Sequence, residues 1–171
     1  MGQPDYQLPE PRIVKLDSFQ VVGIEGKSSM KNNQIPKYWE MFIPREKEVK
    51  AIADPNISYG FCFMDDEQCD EENEETEFTV FIGLPVTKVD QIPDGMKYRT
   101  IPACEYVVFT HKGKFNPNGL QRSYGYIYGV WLPKSNLKIE SRFNFEYYEK
   151  GRFKGVDNDD TEIDIYVPLK K

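Results

Sequence analysis

The chain has 171 residues, a formal net charge of −6, an isoelectric point near 5.0 and a mean hydropathy of −0.63. One domain with a sizeable core is the expectation at this length. The acidic balance argues against direct contact with DNA or RNA, which needs a cationic surface to displace counterions. No apolar run approaches the length of a membrane span.

The N-terminus, Met1-Gly2-Gln3-Pro4-Asp5, is polar and lacks the apolar core of a signal peptide. It does not fit the myristoylation pattern either. The cysteines are Cys62, Cys69 and Cys104, an odd count with no C-x-x-C spacing for zinc or redox work. Reduced thiols and a cytoplasmic protein are therefore expected, with no cofactor and no metal.

In chain order, residues 1–11 hold Pro4, Pro9 and Pro11 and read as an extended arm. Residues 19–26 read as a strand closed by Gly26. A polar loop follows, where Asn32 or Asn33 can cap a helix. Ile35, Tyr38, Trp39 and Phe42 then recur at i, i+3, i+4 and i+7, one helical face. Pro36 sits in the first turn, where its missing N–H costs nothing. Pro44 stops this helix, and a second is expected over 45–51. Residues 57–64 read as a strand. Residues 65–77 carry nine acids and no glycine, so they lack the spacing and central turn of a calcium loop. They read as a solvated, self-repelling loop, or as a docking segment for a basic protein partner. Residues 78–86 form the next strand.

A second series repeats that order. Ile92-Pro93-Asp94-Gly95-Met96 is a turn, and residues 98–100 are a short strand. Residues 104–111 are a longer one. Leu120, Tyr124, Ile127, Tyr128 and Trp131 share one helical face, which Pro133 is expected to end. Strands are expected over 142–148 and 162–169, separated by a polar loop. Val21-Val22-Gly23 matches Tyr106-Val107-Val108, Trp39 and Phe42 match Tyr128 and Trp131, and Phe81-Ile82-Gly83-Leu84-Pro85 matches the stretch from Ile165 to Pro168. The offset is roughly 85 residues, as expected of an internal repeat. The expected architecture is α+β. It has duplicated strand–helix–strand–strand modules over 12–87 and 96–171 within one domain, a pseudo-twofold axis, an antiparallel sheet with helices on one face, and a central ligand cleft.

The stretch Arg142-Phe143-Asn144-Phe145-Glu146-Tyr147-Tyr148 is the most telling. Its odd positions are aromatic, and its even positions carry an amide, a carboxylate and a phenol; strand side chains alternate between faces. Glu146 admits two readings: a solvated surface carboxylate, or the acid of a pocket. Trp39 and Trp131 fall in apolar helical stripes, which suits core as well as pocket. Tyr59, Phe81 and Tyr106 stand between cleft wall and core. His111 has no metal or nucleophile partner pattern, and no hydrolase elbow, P-loop or Rossmann glycine pattern occurs.

These pieces, taken in order, resemble the GyrI-like small-molecule-binding family. It includes stand-alone DNA-gyrase inhibitors and the effector-binding domains of AraC-type and MerR-type multidrug regulators. The resemblance rests on Phe19-Gln20-Val21-Val22-Gly23, Ile35-x-x-Tyr38-Trp39-x-x-Phe42, Tyr59-Gly60 and the turn at 92–96. It continues through residues 101–113, Trp131-Leu132-Pro133, Phe145-Glu146-x-Tyr148 and Ile165-Tyr166-Val167-Pro168. It implies two modules with a ligand cleft between them, Glu146 as the acid at the cleft floor, and Tyr166 as an aromatic lining it. Only a short Pro-rich arm precedes the first strand, which is taken to leave no room for a helix-turn-helix. Three functions compete. One is a stand-alone binding protein for amphipathic, cationic or aromatic compounds, with Glu146, Tyr166, Tyr106, Tyr59, Phe81, Trp39 and Trp131 as ligand residues and a role in transcription regulation or drug sequestration. Another is a hydrolase of strained electrophiles with Glu146 as the catalytic residue. The last is a protein-binding module resembling the topoisomerase inhibitors.

Overall fold

The computed structural model describes residues 8–29, 31–64 and 77–170. Strand β1 spans Arg12–Leu16 and β2 Phe19–Ser29; helix α1, Ile35–Phe42, runs into a 3₁₀ turn, Ile43–Glu48. Strands β3 (Ile57–Phe63), β4 (Glu77–Val86), β5 (Lys97–Ile101) and β6 (Cys104–Lys112) follow. Helix α2 is Gly119–Tyr126; a π-helical segment, Ile127–Trp131, joins it to α3, Leu132–Ser135. Strands β7 (Phe143–Glu149) and β8 (Glu162–Pro168) close the chain.

Eight strands form one antiparallel sheet in the order β1-β6-β8-β7-β3-β4-β2-β5. Exchanging β1 with β5, β2 with β6, β3 with β7 and β4 with β8 turns this order into its own reverse. The centre of the order is the β3–β7 pair, where Gly60 stands opposite Glu146. Strand β1 falls just beyond the arm read at 1–11. It pairs with β6, Val14 opposite Tyr106, a long-range partner that local pattern does not reveal.

Local chemistry explains most element ends. Pro36 occupies the first turn of α1, and Asn33 Oδ1 accepts the Ile35 N–H at 3.0 Å, although the cap position itself is Gln34. The expected helix over 45–51 is instead the 3₁₀ turn opened by Pro44. Pro133 does not end the second helical region. It sits in the first turn of α3, after the ladder has shifted register so that the Leu132 N–H reaches the Ile127 carbonyl. The wider π turn lets the chain pass a residue that cannot donate.

The sheet has two unlike faces. On one, Val22, Ile24, Ile82 and Leu84 lie beneath α1, and Val107, Phe109, Ile163 and Ile165 lie beneath α2; Trp39 packs against both groups. On the other, Val21, Phe61, Phe81, Tyr106, Phe145 and Tyr166 form a buried cluster. Three strand spacings separate β2 from β7, about 14 Å in a flat sheet. The Phe19 and Phe145 rings are 6.2 Å apart, so the sheet curls around this aromatic core. Gly23 and Gly83 face each other in β2 and β4, and a side chain on Gly23 would overlap the Ile82 carbonyl oxygen. Glycine there permits the close crossing that the curl requires.

Candidate functional site

Alternation along β7 sends Phe143, Phe145 and Tyr147 into the aromatic core and Asn144, Glu146 and Tyr148 toward the helices. Glu146 is thus on the helix-bearing face, between α1 and α2. Both its oxygens accept hydrogen bonds from phenols. Tyr124 of α2 donates to Oε2 at 2.5 Å, and Tyr148 donates to Oε1 at 2.6 Å. Trp39 of α1 meets Tyr148 edge-on, with ring centroids 4.8 Å apart. Gly60, opposite Glu146, leaves the space into which Trp39, Tyr148 and Glu146 converge; a Cβ there would lie 3.4, 3.8 and 4.0 Å from them. Cys62 and Asn144 pair next along the strands, and Asn144 Nδ2 donates to Tyr128 Oη at 3.2 Å.

The electrostatics of this group are unusual. Burial pushes the Glu146 carboxyl above its ordinary pKa, against the opposing effect of the two phenol hydrogen bonds. Burial likewise raises the Tyr124 and Tyr148 phenols well above their ordinary range, and the nearby Glu146 charge adds to this. The Cys62 thiol is pushed up to about 12 by burial, so it is neutral and unreactive. Among the described residues, no Lys, Arg or His pairs with Glu146. Asp164, the buried aspartate among the described residues, contrasts with it. Arg152 binds both its oxygens at 2.8 and 3.0 Å, Arg12 approaches at 3.3 Å and Thr110 donates at 2.8 Å. Burial raises the Asp164 pKa, but these partners outweigh it and hold the carboxyl below its ordinary value. Among the described residues, the fold thus neutralises buried Asp164 with cations and gives half-buried Glu146 neutral donors only.

Of the residues expected to share a pocket, Glu146 and Trp39 come together. Tyr59, Phe81, Tyr106 and Tyr166 do not join them. Their side chains belong to the aromatic core on the opposite face, where the Tyr166 ring stacks on Phe145 at 4.6 Å. The physical reason is register. Tyr166 pairs with Phe145 while Glu146 pairs with Ile165, and paired residues share a face. Curling fills the helix-free face with rings, and Glu146 lies on the other face. Trp131 packs edge-on against Phe109 at 5.2 Å and serves the core beneath α2. The residues absent from the expected ligand set are Gly60, Cys62, Tyr124, Tyr128, Asn144 and Tyr148. The signal that could have found Tyr124 and Tyr128 was their i, i+4 spacing on one helical stripe, matched to the i, i+2 spacing of Asn144 and Glu146.

Among the described residues, no helix is long and apolar enough to cross a membrane. The acidic stretch at 65–77 lies outside the described residues except for Glu77, which is exposed at the start of β4.

Comparison with known proteins gives a consistent account. The chain is 35% identical over 158 residues to the transcriptional regulator BrlR of Pseudomonas aeruginosa, which covers 92% of this chain. It spans about half, 54%, of that relative's length. The structure of SAV2435 bound to tetraphenylphosphonium superposes with a TM-score of 0.70 at 17% identity, covering 95% of this chain and 94% of that one. EcmrR in its DNA complex superposes with a TM-score of 0.66 at 18% identity, covering 95% of this chain and 57% of that one. At such identities these likenesses are of fold. The model of the GyrI-like small molecule binding domain matches residues 9–170, nearly the whole described chain, and the chain belongs to that family.

Proposed function

We propose that this domain captures an amphipathic small molecule whose positive charge sits at Glu146 and whose apolar body lies against Trp39, Tyr124 and Tyr148. One observation carries the reading: Glu146 is half-buried, its pKa is raised, and no cationic side chain among the described residues pairs with it. Burying an unpaired carboxylate is costly. A ligand cation offsets that cost by charge pairing, and the surrounding rings add cation–π attraction of about 0.5–2 kcal/mol. The phenol hydroxyls hold both oxygens in place, so little side-chain entropy is lost on binding. The bound cation of SAV2435 supports the reading by analogy of fold.

The proposal keeps Glu146 and Trp39 from the expected set and adds Tyr124 and Tyr148. It includes one domain built of half-repeats at 12–87 and 96–171. It also includes a role in transcription regulation or drug sequestration, and a basic protein partner for the acidic stretch at 65–77. The test is calorimetric titration of tetraphenylphosphonium into the wild-type protein and Glu146→Gln. Binding that weakens tenfold or more in the variant supports the proposal; equal affinity sinks it.

A further inference from the structure

Resting on the reading of Glu146 as a cation site, we infer that Asn144 and Tyr128 form a second, uncharged subsite, which selects cations bearing a neutral hydrogen-bonding group about 7 Å from the charge. That distance is two strand residues at about 3.4 Å each. Asn144 lies on the same face of β7 as Glu146, two residues away, and is half-buried. Tyr128 lies one helical step beyond Tyr124, four residues at about 1.5 Å each. The two steps match in length and run in opposite directions. Tyr124 therefore meets Glu146 while Tyr128 meets Asn144, and the two phenol rings lie nearly parallel at 10°, with centroids 6.4 Å apart.

The two ends of this ladder differ in chemistry. At the Glu146 end there is a carboxylate between two phenols. At the Asn144 end, the described groups that meet Asn144 are neutral: the Tyr128 hydroxyl and the un-ionised Cys62 thiol paired across from it. Asn144 spends one N–H on Tyr128, and among the described residues its Oδ1 has no hydrogen-bond partner. An amide with a spare donor and a spare acceptor is the complement of another amide. Tyr128 is 38% exposed, so this end reaches the surface, where the tail of a ligand would lie. The ligand class is thus a cation with an aromatic or similar spacer and a carboxamide-like group.

The test uses a matched pair of probes, benzyltrimethylammonium and its 4-carbamoyl derivative, in which a benzene ring separates charge from amide. Affinities are read from quenching of tryptophan fluorescence and checked by calorimetry. Wild-type protein is expected to prefer the carbamoyl probe by about three- to tenfold, the range of one or two hydrogen bonds. Asn144→Leu and Tyr128→Phe are expected to bring that ratio toward one, while Glu146→Gln weakens both probes together. Tyr128→Phe removes a single oxygen, so the ratio stays measurable if Asn144→Leu does not fold. A wild-type ratio of one, or a ratio that persists in both variants, overturns the second subsite and leaves the cation site standing. If neither probe binds, or Glu146→Gln binds both as tightly as wild type, the cation site and this inference fall together.

Discussion

Gly60 of β3 stands directly opposite Glu146 of β7, and Glu146 Oε1 lies 4.0 Å from the point where a side chain on Gly60 would begin. An alanine there makes ordinary van der Waals contacts, with Trp39 at 3.4 Å the nearest. A valine adds two methyl groups where Trp39 and the carboxylate already lie. Gly60→Ala is expected to keep cation binding within a few-fold of wild type. Gly60→Val is expected to weaken binding tenfold or more and to destabilise the fold by roughly 1–3 kcal/mol through overpacking. Thermal melts alongside tetraphenylphosphonium titrations check both.

The raised Glu146 pKa makes binding and stability respond to pH in opposite senses. Only the carboxylate attracts a cation, so affinity for tetraphenylphosphonium should rise as pH increases through the raised pKa. Stability runs the other way. A carboxyl whose folded pKa lies above its unfolded value favours the fold while protonated, and that advantage is lost as pH rises through the folded pKa. Glu146→Gln should therefore melt higher than wild type at neutral pH, with the gap closing near pH 4. A gap that widens on acidification would contradict the assignment.

Tyr124 and Tyr148 each lower the Glu146 pKa by donating to it, against the larger effect of burial. Removing one hydroxyl leaves burial less opposed. Tyr124→Phe and Tyr148→Phe are each expected to move the midpoint of the pH–affinity curve upward, so that less cation binds at pH 6 than in wild type. A downward shift would show that the phenols do not stabilise the carboxylate.

Asp164 answers to the opposite rule. Its pKa is held down by Arg152, Thr110 and Arg12, so its contribution is present above its unfolded pKa and is lost as pH falls through the folded one. Asp164→Asn leaves Arg152 without its two-bond partner. A loss of roughly 1–3 kcal/mol in urea denaturation at pH 7 is expected, the scale of losing charge-assisted hydrogen bonds, because Glu162 stays 3.6 Å from Arg152 and still pairs its charge. Cation affinity should change little, because Asp164 projects from the other face of the sheet.

Turnover separates capture from hydrolysis at the same site. If the domain hydrolyses strained electrophiles, chromatography of a reaction with an epoxide or cyclopropane-bearing cation will show product with wild type, and Glu146→Gln will bind the compound without converting it. Capture alone predicts no product above the buffer rate with either protein.

Much of this was legible in the chain before any coordinates. The helical stripe ending at Phe42, the alternation from Phe143 to Tyr148 and the ordered repeat are local, periodic signals, and they placed seven of the eight strands and both helical regions. They left Glu146 with two readings, a solvated carboxylate or a pocket acid, and the family resemblance is what pointed to the second. The face assignment of its companions required tertiary structure. Whether Tyr166 shares a wall with Glu146 depends on which residue it pairs with across β7 and β8, and a shift of one residue reverses the answer. That register is set by packing between distant strands, as is the pairing of β1 with β6. So is the absence, among the described residues, of a cation beside Glu146, while Asp164 holds two, because ion pairs form across sequence distances that local pattern does not encode. The sequence alone thus determined the family and the α+β class, and made Glu146 a candidate acid. The curl and register of the sheet decided what surrounds that acid, because side-chain neighbours across strands are chosen by the packing of the whole fold.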